Sequence, residues 1–160
     1  MQFPKKKRAK KSARARLIDD CSRLWSQVVR SENGWRCAHC GKYFEEGARG
    51  GLDAHHLIER GLRGCNLWWF FPWVGIPLCK GYHHYHVHAR RDPGFLQSWE
   101  MIQRRHLAGS GRSLGELETT CRAKGGARLR EFDLEIVKKR LQERLDNPPD
   151  RGFGKRIPDF

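Results

Sequence analysis

From Leu17 to about Ser31 the apolar positions Leu17, Ile18, Cys21, Leu24, Trp25, Val28 and Val29 recur at spacings of three and four. That period predicts an amphipathic helix with one buried stripe and a packing role. Asn33-Gly34 then ends the helix and turns the chain. Leu52 to Ile58 is short and apolar enough for a strand, and a second strand runs through Ile76 and Leu78 to Cys79. Between them the run Leu67-Trp-Trp-Phe-Phe-Pro-Trp73 reads mainly as compact core, although aromatic runs also stack on unpaired bases. Phe95, Leu96, Trp99, Met101 and Ile102 mark another amphipathic helix, followed by a linker at Gly109 to Gly111. Ser113-Leu-Gly-Glu116 has the spacing of a capping box that opens a short helix to about Arg122. A strongly charged helix from Leu129 to Leu145, carrying Phe132, Leu134, Ile136, Val137 and Leu141, is expected to brace the rest.

Charge changes the picture next. Lys and Arg number 32 against 18 Asp and Glu among 160 residues, a formal net charge of +14. So one-sided a surface favours a polyanion, most simply DNA or RNA, because each phosphate neutralised releases counterions. The first sixteen residues carry eight of these basic groups and read as a flexible arm. No apolar run follows that arm, and no stretch approaches membrane-spanning length. A reducing cytoplasm with thiolates serving as metal ligands is the expectation. The length fits one modest domain with extensions: a basic arm at 1–16, a main domain at 17–108, a helical extension at 109–146 and a loose tail at 147–160.

The chemistry sits in three pieces. Cys37-Ala-His-Cys40-Gly41 has zinc-knuckle spacing, which lets both sulfurs reach one tetrahedral ion while the backbone turns tightly. His39, between them, reads as a bystander. Two sulfurs are only half a site. The stretch Cys79-Lys-Gly-Tyr-His83-His84-Tyr-His86-Val-His88 can supply the remainder: Cys79 and His83 would complete a zinc site of three cysteines and one histidine. His84 and His88 are four apart, hence neighbours on one face if a helix starts there. With one histidine of the His55-His56 pair they offer three imidazoles to a second ion, leaving coordination positions open. Adjacent strand residues point to opposite faces, so His55 and His56 are expected to do different things. A second register stays open, in which His83 binds the second ion and His86 or His88 takes the other role. Arg60 and Arg63 in the loop, and Arg90 and Arg91 after the histidines, are candidate phosphate contacts.

Taken together, Cys37-x2-Cys40, Asp53-x-His55-His56, Gly75-Ile-x-Leu-Cys79 and His83-His84 with His88 resemble the HNH (ββα-metal, His-Me finger) endonucleases, nearest to phage-type members with a zinc knuckle. The resemblance spans roughly residues 17 to 106. It implies an α+β fold: a small ββα-metal core of β-hairpin plus helix, with a zinc knuckle and flanking helices. It also implies a DNA endonuclease that hydrolyses phosphodiester bonds, with His56 as general base on water and His55, His84 and His88 holding the catalytic ion. That ion would be Mg2+, Mn2+, Ni2+ or Zn2+, beside a structural Zn2+ at Cys37, Cys40, Cys79 and His83. The family's knuckle reads Cys-x2-Cys-His-x3-His, so one inserted residue and a Cys-to-His exchange separate this chain from it, with Tyr82 where the cysteine would fall. Its central Asn has no counterpart just before Gly75, where Val74 stands; Asn66 is the nearest alternative.

Expected partners are DNA, duplex or branched, and other phage or recombination proteins, with no membrane; a phage-encoded chain would work in the bacterial host cytoplasm. Two rival readings accompany the nuclease: a zinc-stabilised nucleic-acid-binding protein without catalysis, and a structure-selective nuclease acting on branched DNA.

Overall fold

The computed structural model describes residues 10–46, 51–58, 66–80, 93–122 and 129–148. Among them the chain is mixed α+β, with four α-helices and one two-stranded antiparallel sheet. The first helix, α1 (Ala13–Glu32), starts four residues before the apolar pattern does, because Ser12 Oγ caps it by accepting the Ala15 N–H at 3.2 Å. It buries Cys21, Leu24, Trp25, Val28 and Val29, the predicted stripe. Its end is closed by the predicted turn. The N–H groups of Asn33 and Trp35 donate to the Arg30 carbonyl and that of Gly34 to Ser31, with φ positive at Gly34 (59°) and Trp35 (54°). Trp35 has no glycine freedom there. Its ring is held under the Arg30 guanidinium, 5.2 Å from the centroid.

Strands β1 (Leu52–His56) and β2 (Gly75–Cys79) pair antiparallel, with Leu52 opposite Cys79, His55 opposite Ile76 and His56 opposite Gly75. The ladder runs one residue further at each end, through Leu57 N–H to the Val74 carbonyl and Lys80 N–H to the Gly51 carbonyl, both 2.9 Å. The aromatic run enters β2 as two short 3-10 turns, η1 (Leu67–Phe70) and η2 (Pro72–Val74). It is core as expected, with Phe70 and Trp73 each 1% exposed, though Leu67 faces out.

Helix α1 packs on the sheet at its closest point over Gly75. A β-carbon there would lie 2.5 Å from both Trp25 and Val29 side chains, so only glycine admits the helix at this distance. On the far side of α1 lies α4 (Glu131–Asp146), which buries Leu134, Val137 and Leu141 against it as the bracing reading expects. Arg14 donates to the Leu129 carbonyl (3.0 Å), Lys138 pairs with Asp20 and Arg144 with Glu32, so the two helices run parallel. Helices α2 (Pro93–Gly109) and α3 (Leu114–Arg122) close the other face of the hairpin. Ile102, Leu107 and Leu117 join Trp68, Trp73, Ile76 and Leu78 in a second apolar cluster. Ser113 caps α3 by accepting the Glu116 N–H, while the Glu116 carboxylate pairs instead with Arg112, whose guanidinium lies over Trp73. Among the described residues no helix is long and apolar enough to cross a membrane.

The Glu32–Arg144 pair is enclosed, with side-chain exposures of 2% and 9%. Removing one partner takes the charge-assisted bond from an enclosed group, so Arg144→Ala is expected to lower stability by about 3–5 kcal/mol. Lys11→Ala, which breaks the exposed pair with Asp19, is expected to cost under about 1 kcal/mol. Urea unfolding of the two variants checks the contrast; equal losses would contradict the enclosed geometry.

Candidate functional site

The knuckle is built as a miniature hairpin. Arg36 and Tyr43 form an antiparallel bridge, Cys37 N–H donates to the Lys42 carbonyl, and Phe44 N–H to the Trp35 carbonyl. The turn between the cysteines closes with Gly41 N–H on the Cys37 carbonyl at 2.8 Å, and Gly41 takes φ +71°, the conformation its position demands. Ala38 N–H reaches the Pro77 carbonyl at 2.9 Å, which docks this turn on β2 and brings Cys79 to the other two sulfurs.

The ligand atoms of Cys37, Cys40 and Cys79 all lie within 4.8 Å of one another. Cys37 is buried, Cys79 half-buried and Cys40 exposed. Burial pushes the Cys37 thiol up, but the backbone N–H groups of Cys40, Cys79 and His39, with the Cys40 side chain, outweigh it and bring the thiol below its ordinary value. One of these contacts is Cys79 N–H to Cys37 Sγ at 3.4 Å. Three converging sulfurs fit a soft divalent ion such as zinc. His39 lies outside this ligand group, as a bystander would. Its imidazole is held below its usual value by burial and by the Arg105 charge. The expected fourth ligand, His83, lies outside the described residues, as do His84, His86, His88, Tyr82, Arg60, Arg63, Arg90 and Arg91. Among the described residues only the three-cysteine group is assembled.

The histidine pair divides as strand geometry requires. His55 is 6% exposed and meets the Trp99 ring of α2 edge-on, with centroids 5.6 Å apart. His56 points to α1, where its ring stacks on Trp25 at 3.9 Å and 15° and meets Trp68 edge-on at 6.2 Å. His56 Nε2 lies 2.8 Å from the Trp69 carbonyl oxygen. A carbonyl only accepts, so Nε2 carries the hydrogen and, in the neutral ring, the lone pair sits on Nδ1. Trp25 is itself tied down, its Nε1 donating to the Phe71 carbonyl at 3.1 Å.

The apolar period assigns α1 a packing role, and Trp25 in that stripe packs directly on His56. Its place in the apolar stripe hid this, because the same ring both fills the core and covers His56. Val74 is fully buried and offers only its backbone, which accepts from Leu57. Asn66 begins η1 without a side-chain cap bond, and its carbonyl accepts the Trp69 N–H at 3.1 Å. The group that meets His56 is thus a backbone carbonyl, which no side-chain motif announces. Comparison with models of protein families, with curated proteins and with solved structures gives no match for this chain.

Thiol chemistry tests the knuckle. In metal-free protein the exposed Cys40 is expected to alkylate well ahead of Cys21, which is fully buried, and of Cys121, whose thiol burial pushes up to about 11. Adding Zn2+ should protect Cys37, Cys40 and Cys79 together in mass-spectrometric mapping, leaving Cys121 unaffected. Protection of Cys40 without Cys79 would show that the three do not share an ion.

Proposed function

We propose that this chain is an HNH-type (His-Me finger) DNA endonuclease, hydrolysing phosphodiester bonds with a structural zinc in the knuckle and one catalytic divalent ion near His55. The observation that carries the reading is the clamp on His56. Trp25 holds its face and the Trp69 carbonyl holds Nε2–H, leaving Nδ1 as the basic atom. A general base needs a fixed tautomer and a fixed direction, and this ring has both. The Trp69 carbonyl does for His56 what the family's Asn is expected to do, so Val74 in that place is compatible with catalysis.

In this reading His56 Nδ1 takes a proton from the attacking water, and the Trp69 carbonyl and the Trp25 face both favour the imidazolium that results. His55, on the opposite side of β1, would be one ligand of the catalytic ion, with His84 and His88 as its expected co-ligands. Such an ion, once bound, supplies charge to the developing oxyanion and leaving oxygen. Cys37, Cys40 and Cys79, with His83 as expected fourth ligand, would hold a zinc at the end of β2. The excess of basic residues supplies affinity for the DNA backbone without sequence information.

Plasmid nicking with Mg2+, Mn2+, Ni2+ or Zn2+ is the direct test. Wild type is expected to convert supercoiled to open-circular DNA, and His56→Ala to lose about 10²–10⁴-fold in rate, the usual worth of a positioned base. Retained DNA binding without nicking in any of these metals would favour the zinc-stabilised binding protein instead.

A further inference from the structure

The knuckle carries exposed groups that neither the metal nor the core requires. Arg36 and Tyr43 stand opposite each other in the bridge, and directly paired residues of an antiparallel bridge project to one face. The Arg36 guanidinium lies 5.5 Å from the Tyr43 ring centroid, and its Nη1 is pinned to the Gly41 carbonyl at 3.2 Å. At the other end of the same turn, Arg105 from α2 donates Nη2 to the Ala38 carbonyl at 2.9 Å. Two exposed guanidinium groups thus bracket residues 38–41, each held by one backbone oxygen. Tyr43 is 52% exposed, whereas Trp25, Phe70 and Trp73 are between 1% and 4%.

This surface aromatic beside a backbone-anchored arginine lies outside both apolar clusters, and its chemistry is specific. An aromatic face stacks on an unpaired base, a planar guanidinium continues that stack, and its remaining N–H groups contact phosphate. Because each arginine is already tethered, little side-chain freedom is lost on binding. Duplex DNA offers phosphates but no open base face. A single strand, or the unpaired part of a branched one, offers both. Glu45 and Glu46, exposed just beyond Phe44, repel a polyanion running along the chain in that direction. They favour a path across the knuckle turn between Arg36 and Arg105.

We propose that the outer face of the knuckle, formed by Arg36, Tyr43 and Arg105, is a binding platform for a single nucleic-acid strand, with Tyr43 stacking an unpaired base and the arginines on flanking phosphates. This deepens the DNA-directed reading above and rests on its nucleic-acid half, not on catalysis. It assigns the knuckle a preference for open or branched DNA over plain duplex.

Fluorescence anisotropy tests it on the full-length, zinc-loaded chain, in a His56→Asn background so that cutting does not blur the equilibrium. The probes are a labelled single strand and a duplex of the same length. Tyr43→Leu is expected to weaken single-strand binding about tenfold, the scale of one lost base stack. Duplex binding should change less than about twofold, and Tyr43→Phe should restore the single-strand affinity. Arg36→Gln and Arg105→Gln should each lower the magnitude of the single-strand salt slope by about 0.7. Zinc content equal to wild type shows that the knuckle is intact in each variant. An unchanged single-strand affinity in Tyr43→Leu, an equal loss on duplex, or a loss not restored by phenylalanine overturns the proposal. None of these outcomes depends on whether the wild type nicks plasmid, so the two readings fail separately.

Discussion

The constraint on which the structure depends is the close approach of α1 to the backbone of Gly75. With no side chain at that position, Trp25 and Val29 settle directly on β2. Because Gly75 pairs with His56, the Trp25 ring that crosses it also lies flat on the imidazole. One contact therefore joins helix to sheet and orients the candidate base. The rest buttresses it: α4 holds α1 from behind through Glu32–Arg144 and its apolar face, and η1 delivers the Trp69 carbonyl to Nε2.

The second organising element is the knuckle, and it is not independent of the first. Ala38 bonds to Pro77 within β2, and Cys79 is the last residue of the same strand. Gly75 and Cys79 thus mark the two ends of one five-residue strand, with the candidate base at one end and the candidate metal ligands at the other. An ion bound at the cysteines restrains β2, and β2 sets the register that places His55 and His56 on opposite faces. The candidate metal ligands and the candidate base are thus both tied to this strand.

Much of this was legible in the sequence because period and spacing are local signals. The apolar stripe from Leu17 to Val29 identified α1, and the Cys-x2-Cys-Gly spacing identified a turn that Gly41 closes with positive φ. Alternation along β1 foretold that His55 and His56 part company. What was not legible depends on tertiary contact. Trp25 sits in an ordinary helical period, and nothing in that period says which ring it will cover. The carbonyl of Trp69 has no side-chain signature at all. Helix α1 starts four residues ahead of the apolar period because its first turn is polar and is fixed by a serine cap rather than by burial. Glu116, in a capping-box position, was drawn to Arg112 instead, an ion pair that only the packing of Arg112 over Trp73 makes available.

The fold fixes His56 with hydrogen on Nε2 and, in the neutral ring, the lone pair on Nδ1. Nitrogen-15 NMR of the imidazole, in histidine-labelled protein at a pH where the ring is neutral, reads this directly. His56 in this fold is expected to show a pyrrole-type shift at Nε2 and a pyridine-type shift at Nδ1. A pyrrole-type Nδ1, or averaged shifts from two exchanging tautomers, would contradict it.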